Sequence, residues 1–171
     1  RQAALRPYLV PQAKRGIIGN SRYAVKLRQQ IRTAAHDDLS VLISGEPGLE
    51  KDNIAALIHF GSARRHQPII TLKSALITAN GAELFGRVGG KPGLLEWLGE
   101  GTLILNDVQK LPPELVPQIE QLLTTGTYTP VVRAEQTSPP DRSSNVRLIL
   151  ISESTQPTLS KAIDHQIKVP G

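Results

Sequence analysis

Two residues at the end of an apolar run have the types and spacing of a phosphate-binding loop. Gly45 follows the run at 41–43, and Lys51 stands six positions later, directly before Asp52. In such loops a glycine, four residues, a second glycine, a lysine and a hydroxyl residue join a buried strand to a helix. Backbone N–H groups at the helix N-terminus then attract phosphate. The candidate phosphate-binding residues are Gly45, Glu46, Pro47, Gly48, Leu49, Glu50, Lys51 and Asp52.

Glu50 stands where that pattern has its second glycine. Its Cβ limits how closely the backbone approaches phosphate, and its carboxylate adds a like charge. At about 4 Å and an effective dielectric of 20 this repulsion is roughly 4 kcal/mol, half of the ~8 kcal/mol of micromolar binding. Glu50 pointing to solvent, or pairing with Lys51, would relieve it. The stretch is equally compatible with a strand–turn–helix corner that holds no ligand.

The composition indicates one soluble-type domain without disulfides. The 171 residues contain no cysteine, which excludes thiolate metal sites and fits a reducing, cytoplasmic location. No apolar run approaches the length of a membrane span. The chain starts without Met and ends abruptly at Gly171, so we expect a fragment of a longer protein whose other domains are its partners.

The positive charge is concentrated at the start of the chain. Residues 1–36 carry eight of the 20 Lys and Arg residues and no Asp or Glu, so the remainder is mildly acidic. We interpret residues 1–16 as a basic arm or linker and residues 17–171 as the domain. The basic segment is compatible with binding of nucleic acid or an acidic partner, and equally with a solvated face.

Strands and helices alternate along the chain. This order predicts a parallel sheet covered on both faces, with ligands at the carboxyl ends of its strands. Gly45, Asn106, Asp107 and Glu153 would meet at that edge, while Trp97 would pack in the core. The predicted strands are 39–44, 67–73, 101–107 and 146–152; the predicted helices are 21–36, the segment from the loop to Gly61, 74–80, 94–98, the segment from Pro112 and 158–167; a hairpin arm is predicted at 126–132 and a loop at 134–144.

Short motifs are spread through residues 17–170. They are Ile18-Gly19 with Ser21, Gly45-Glu46 with Gly48, Ile58-His59 with Ser62 and Arg64, Pro68, Glu83-Leu84-Phe85-Gly86, Gly101-Thr102-Leu103, Leu111-Pro112 and Val146-Arg147-Leu148-Ile149. In these motifs, residues 17–170 resemble the α/β subdomain of the AAA+ ATPases that activate sigma-54 RNA polymerase. The resemblance implies a three-layer α/β/α P-loop NTPase core with a parallel sheet, the helical lid being absent from the chain. It also implies ATP and Mg²⁺ as cofactors, a homo-oligomer, and the transcription machinery as a partner.

The departures from the family pattern fall on its chemistry. By resemblance, Asn106 replaces the Mg²⁺-binding Asp, and Asp107 replaces the longer, water-activating Glu. Glu153 takes the position of the sensor Asn, and 159–167 contains no arginine finger. The segment 87–93 also crosses directly the gap that holds the family's sigma-gripping loop.

These departures favour a degenerate AAA+ domain with weak or no ATP hydrolysis, serving assembly or signalling. Lys51, Asp52 and Asp107 support the alternative of an active ATPase that drives a transcription complex. Binding of nucleic acid or an acidic partner through the basic N-terminal segment is a third hypothesis.

Overall fold

Five parallel strands form the centre of the fold in the computed structural model, which describes residues 8–9, 17, 21–47, 50–132, 139–153 and 159–169. The elements in chain order are β1 (Tyr8–Leu9), α1 (Arg22–Ala35), β2 (Val41–Gly45), α2 (Lys51–Phe60), β3 (Ile69–Lys73), α3 (Ala82–Phe85), α4 (Leu94–Leu98), β4 (Thr102–Asn106), α5 (Val116–Thr125), β5 (Thr127–Tyr128), β6 (Arg142–Ser143), β7 (Arg147–Ser152) and β8 (His165–Val169). Short 3₁₀ turns lie at Ser74–Leu76, Val108–Lys110, Pro113–Leu115 and Ser160–Ala162.

The main sheet has the strand order β1-β3-β4-β7-β2-β8. The strands from β3 to β8 are parallel, and only β1 is antiparallel, pairing with the edge strand β3. β2 lies between β7 and β8, so the candidate loop leaves the sheet near its β8 edge. The predicted parallel sheet is confirmed.

The leucines and the β-branched residues of the central strands lie in two different apolar layers, one on each face of the sheet. Leucines of β2, β4 and β7 pack against α3, α4 and α5, whereas Val and Ile of the same strands pack against α1 and α2. Alternation along a strand sends neighbouring residues to opposite faces, and both faces here are covered. This gives the three-layer α/β/α architecture that the sequence predicts.

Helix α1 is fixed by one apolar stripe and a side-chain cap. Ala24, Leu27, Ile31 and Ala34 are buried at helical spacing, and the Ser21 hydroxyl oxygen accepts a hydrogen bond of 3.1 Å from the Ala24 amide. The cap satisfies an amide that the helix cannot pair internally. Most basic side chains of α1 are exposed, whereas Arg28 is half-buried and donates to the Ile17 carbonyl oxygen at 3.1 Å.

A buried cation holds the N-terminal edge of the sheet. The Arg147 side chain is fully buried, donates from Nε to the Leu39 carbonyl at 2.9 Å, and also bonds the Ala34 carbonyl. Burial lowers the pKa of Arg147, and the nearby Asp37 carboxylate opposes that shift. Burial alone would raise the pKa of Asp37, but the Leu39 amide and His165 hold it below its usual value.

His59 is the second buried ionisable group at this edge. Its ring contacts the Thr102 hydroxyl at 2.7 Å and the Gln67 carbonyl at 3.1 Å, and the residue has no exposed surface. Burial lowers the pKa of His59 to about 4. The ring is therefore neutral at physiological pH and ties α2 to β4 and to the start of β3.

The structure corrects the end of the predicted chain path. The segment predicted as a helix at 158–167 instead forms the turn Ser160–Ala162 and the strand β8, which pairs with β2. Leu159, Ile163 and Ile167 have helical spacing, but the alternating burial along β8 shows that pairing with β2 determines the conformation. The predicted helix at 74–80 is also shorter, a single turn at Ser74–Leu76.

Two further predictions need changes. Trp97 is 59% exposed rather than packed in the core. The arm predicted at 126–132 is half of a two-stranded sheet, in which Thr127 and Tyr128 pair with Ser143 and Arg142 from within the predicted loop. The segment between α3 and α4 is fixed by close backbone packing, since a Cβ on Gly93 would lie 2.3 Å from the Leu84 carbonyl oxygen.

Candidate functional site

Lys51 begins α2 at the carboxyl end of β2, as the loop pattern predicts. Its side chain is 7% exposed, and Nζ donates a 2.6 Å hydrogen bond to the Glu46 carbonyl oxygen. The ammonium group therefore lies over the loop that leads into the helix. Gly48 and Leu49, two of the predicted loop residues, lie outside the described part of the chain.

Glu50 is held in a backbone conformation that suits glycine. Its φ and ψ are 52° and 32°, in the left-handed region, and its carbonyl accepts from the amides of Asn53 and Ile54. For a residue with a Cβ this conformation costs roughly 1–2 kcal/mol. The position of the pattern's second glycine thus has a backbone conformation typical of glycine, although its residue carries a Cβ.

A small acidic cavity lies beside the loop at the carboxyl edge of the sheet. Its volume is about 220 Å³. It is lined by Glu50, Lys51, Asp52, Asn106, Asp107, Ile151 and Glu153. Asn106, Asp107 and Glu153 thus lie together beside the loop. Four carboxylates face one ammonium group in this space, so its charge balance disfavours a phosphate chain and favours cations.

Asn106 and Asp52 are joined across this cavity. Asn106 Nδ2 donates to Asp52 Oδ1 at 3.2 Å, so the amide nitrogen, which cannot ligate a metal, points toward the carboxylate. Among the described residues no three His, Cys, Asp or Glu side chains gather as a metal site. The residues present therefore do not fit a protein-held Mg²⁺ ion, and any bound Mg²⁺ would depend on phosphate oxygens and water for most of its ligands.

Asp107 follows Asn106 with a left-handed backbone, φ 54° and ψ 52°, and precedes the turn Val108–Lys110. Asp tolerates this conformation better than most residues, because its short side chain bonds locally. The turn places Gln109 near the end of β7, where its Oε1 accepts from the Ser152 hydroxyl at 3.2 Å and from the Glu153 amide at 3.3 Å. Gln109 thus fixes the backbone at Glu153, a positioning contact that sequence reasoning missed.

A larger cavity of about 630 Å³ lies on the other side of the loop. Its walls are α1, the first loop residues and β8. The residues that line it are Tyr23, Lys26, Gln30, Ser44, Gly45, Glu46, Glu153, Gln166, Lys168 and Val169. Its lining from α1 and β8 was not predicted, because 158–167 was interpreted as a helix and α1 carries no local motif. The two cavities share Glu153 and together flank the loop.

The stretch where the family resemblance places an arginine finger lies at the β8 end of the chain. The described part, 159–169, forms a 3₁₀ turn and the edge strand β8.

Within the described residues, no helix combines the length and apolar composition that a bilayer crossing requires.

Comparison with known proteins agrees with this geometry. Residues 17–167 match the family described as the Sigma-54 interaction domain. The transcriptional regulator VasH of Vibrio cholerae is 34% identical over 127 residues, 68% of this chain and 24% of VasH. The anaerobic nitric oxide reductase transcription regulator NorR of Aeromonas hydrophila is 34% identical over 133 residues, 69% of this chain and 26% of NorR. The chain thus spans about a quarter of the length of these relatives.

Solved structures share the fold. NtrX from Brucella abortus in complex with ADP superposes with a TM-score of 0.75 at 26% identity, over 90% of this chain and 37% of NtrX. NtrX in complex with ATP gives a TM-score of 0.74 at 26% identity, over 92% of this chain and 39% of NtrX. The P-loop NTPase domain of a sigma-54 transport activator from E. coli, at 18% identity and a TM-score of 0.59, supports the fold alone.

Proposed function

Because the chain belongs to the sigma-54 interaction domain family, we propose that it acts within a longer transcription regulator as an AAA+ module that hydrolyses ATP weakly or not at all. Its role is then assembly or signalling rather than mechanical work. The domain would operate in the cytoplasm, in contact with other domains of the same protein, with further copies of itself and with the transcription machinery.

The observation that carries this proposal is Glu50 in the left-handed position at the start of α2. A carboxylate on the rim of an already acidic cavity weakens phosphate binding, and Lys51 alone opposes it there. The NtrX structures with ADP and ATP support a nucleotide site in this fold. In this chain we place the phosphates at Lys51 and the base and sugar in the 630 Å³ cavity.

The acid–base groups also support weak hydrolysis. A general base must come within about 3 Å of the water that it activates. By resemblance to the family, Asp107 takes the position of the longer, water-activating Glu, and Glu153 takes the position of the sensor Asn. An ionised Glu carboxylate accepts hydrogen bonds but donates none. Asn106, bonded to Asp52, leaves a neutral amide at the metal position.

Calorimetric titration with ATP and ADP, together with a phosphate-release assay, tests the proposal. We expect nucleotide dissociation constants of about 0.03–1 mM, because a loss of roughly 2–4 kcal/mol applies to micromolar binding. Phosphate release should equal that of the Lys51→Ala variant. Ordinary ATP turnover that Lys51→Ala abolishes would refute the hypothesis of weak or absent hydrolysis and would establish the active ATPase.

The active ATPase remains the second candidate, because Lys51, Asp52 and Asp107 line one cavity. It predicts hexamers that assemble only with ATP, which light scattering would detect. No binding heat at millimolar ATP would eliminate it.

The third candidate, binding through the basic N-terminal segment, is favoured by the exposed Arg22, Lys26 and Arg32 on α1. Nucleic acid bound there must dissociate as salt increases, because phosphate contacts release counterions. An affinity that does not weaken with salt would eliminate nucleic acid as the ligand.

A further inference from the structure

The outer side of β8 is an open strand edge in the described part of the chain. β8 pairs with β2 on one side, and no described strand pairs with its other side. At the opposite edge of the sheet, β3 is covered by the short antiparallel strand β1. An open edge presents unpaired N–H and C=O groups to which another extended chain can bond.

The direction of the ladder identifies the groups that face outward. The His165 amide donates to the Ser40 carbonyl at 3.0 Å, so the N–H and C=O of His165 face β2. Backbone groups alternate in direction along a strand. The N–H and C=O groups of Gln166 and Lys168 therefore lie on the outer edge, two residues apart, at the spacing of an added strand.

A groove follows this edge along its length. A cleft of about 330 Å³ lies between α1 and β8. It is lined by Lys26, Gln29, Gln30, Thr33, His165, Gln166 and Ile167. The cleft shares Lys26, Gln30 and Gln166 with the 630 Å³ cavity, which extends past Lys168. Together they leave room for an extended segment beside β8.

The wall that α1 contributes to this groove carries positive charge only. α1 contains no acidic residue from Arg22 to Ala35, and Lys26 and Lys168 are exposed on opposite walls. Asp37, near the start of β8, is bonded to His165 at 2.9 Å. The other carboxylates lie at the ends: Asp164 precedes β8 and bonds the Ser40 hydroxyl, and Glu46 and Glu153 line the end nearest the loop.

We propose that an extended acidic segment of a partner protein adds a strand to the outer edge of β8. Its backbone bonds to the N–H and C=O groups of Gln166 and Lys168, and its carboxylates lie against Lys26 and Lys168. Only a polypeptide supplies donors and acceptors at strand spacing, which favours a protein over nucleic acid. Pairing of β8 with β8 of a second copy would bring the Lys168 side chains of both copies to one seam, and like charges disfavour it.

The test uses a fluorescent peptide of about ten residues, the upper length of ordinary strands, in which Glu and Val alternate. Fluorescence anisotropy measures its affinity for the chain, and hydrogen exchange locates the contact. We expect salt-sensitive binding and new protection of the Gln166 and Lys168 amides. A peptide alternating Lys and Val, and one in which Pro replaces Val, should not bind.

Two pairs of variants separate the edge from the charge. Gln166→Pro removes the outward N–H without removing a bond to β2, and proline is tolerated at such edge positions. Gln166→Ala keeps that N–H while also losing the side-chain bond to the Ser160 carbonyl. We expect Gln166→Pro to lower the affinity at least about tenfold and Gln166→Ala to change it less than about threefold. Circular dichroism checks the fold of each variant.

For the charge, Lys26→Glu should lower the affinity about tenfold, whereas Lys91→Glu, an equal charge change on an exposed residue outside the groove, should leave it unchanged. No peptide binding, equal affinity for single-stranded DNA, or exchange protection elsewhere would overturn the proposal. Equal losses of peptide affinity in Gln166→Pro and Gln166→Ala would also overturn it. Lys51→Ala should not change peptide binding, so this result stands or fails separately from nucleotide binding.

Discussion

Replacing Glu50 by glycine changes two physical quantities at one position. The backbone there has φ 52°, so the substitution removes a left-handed penalty of roughly 1–2 kcal/mol. Glycine also adds about 0.5–1 kcal/mol of unfolded-state entropy. The net gain in the free energy of unfolding is therefore about 0–1.5 kcal/mol, and the midpoint of thermal unfolding should rise by at most a few degrees.

The same substitution removes a carboxylate from the rim of the acidic cavity. At about 8 Å from a phosphate charge and an effective dielectric of 20, that carboxylate opposes binding by about 2 kcal/mol. Its loss should strengthen ADP binding about thirtyfold. Because Glu50 is exposed and the Debye length is about 10 Å at 0.1 M salt, the gain should shrink as salt increases.

Isothermal titration with ADP measures this gain, and Glu50→Gln separates its two sources. Gln removes the charge but keeps the Cβ and its strain, so the difference between the Gln and Gly variants reports the backbone contribution. Lys51→Ala should abolish binding in each background. If wild-type chain binds ADP with low micromolar affinity, or if neither variant gains affinity, Glu50 is not what weakens the loop.

Two further predictions concern Asn106 and His59. Asn106→Asp replaces the bond to Asp52 with carboxylate repulsion, so thermal unfolding in EDTA should show a loss of about 1 kcal/mol. Millimolar Mg²⁺ should reverse that loss, with Asn106→Ala as the unresponsive control; a Mg²⁺ effect on wild type would contradict this. Neutral His59 has a pKa of about 4 when folded and about 6.5 when unfolded, so its contribution is complete above pH 6.5 and falls by up to about 3 kcal/mol as the pH decreases to 4. Urea unfolding from pH 7.5 to 4.5 measures it, and His59→Gln should flatten that part of the profile; an unchanged profile would refute it.

The elements that the sequence predicted well are those with strong periodic burial. The segments that form α1, β2, β4 and β7 have a single buried stripe or an uninterrupted apolar run, and tertiary contacts only confirm that local preference. The residues at the carboxyl edge of the sheet could also be predicted, because parallel strands bring Asn106 and Asp107 beside Lys51 regardless of how the helices are placed.

The segments that were predicted wrongly depend on contacts distant in sequence. The segment 159–167 has the spacing of a helix at Leu159, Ile163 and Ile167, but its last residues pair with β2 and form the strand β8. Since β8 forms one wall of the 630 Å³ cavity, that error hid the cavity as well. The left-handed conformation of Glu50 was also hidden, because a Glu in the sequence carries no signal for positive φ; only its alignment with a glycine position indicated it.

The two ends of the parallel strands impose different demands on the chain, and the difference favours a domain kept for its shape. At the N-terminal edge a fully buried Arg147 is stable only while the Ala34 and Leu39 carbonyls surround it, because an uncompensated buried charge costs several kcal/mol. At the carboxyl edge, by contrast, Glu50 and Asn106 sit in open cavities, where unfavourable chemistry leaves the packing intact. A substitution at the first edge threatens folding, whereas one at the second edge changes stability little and mainly alters what the site binds. Surfaces that need the folded sheet but no nucleotide chemistry, such as the outer edge of β8, would therefore persist if hydrolysis were lost.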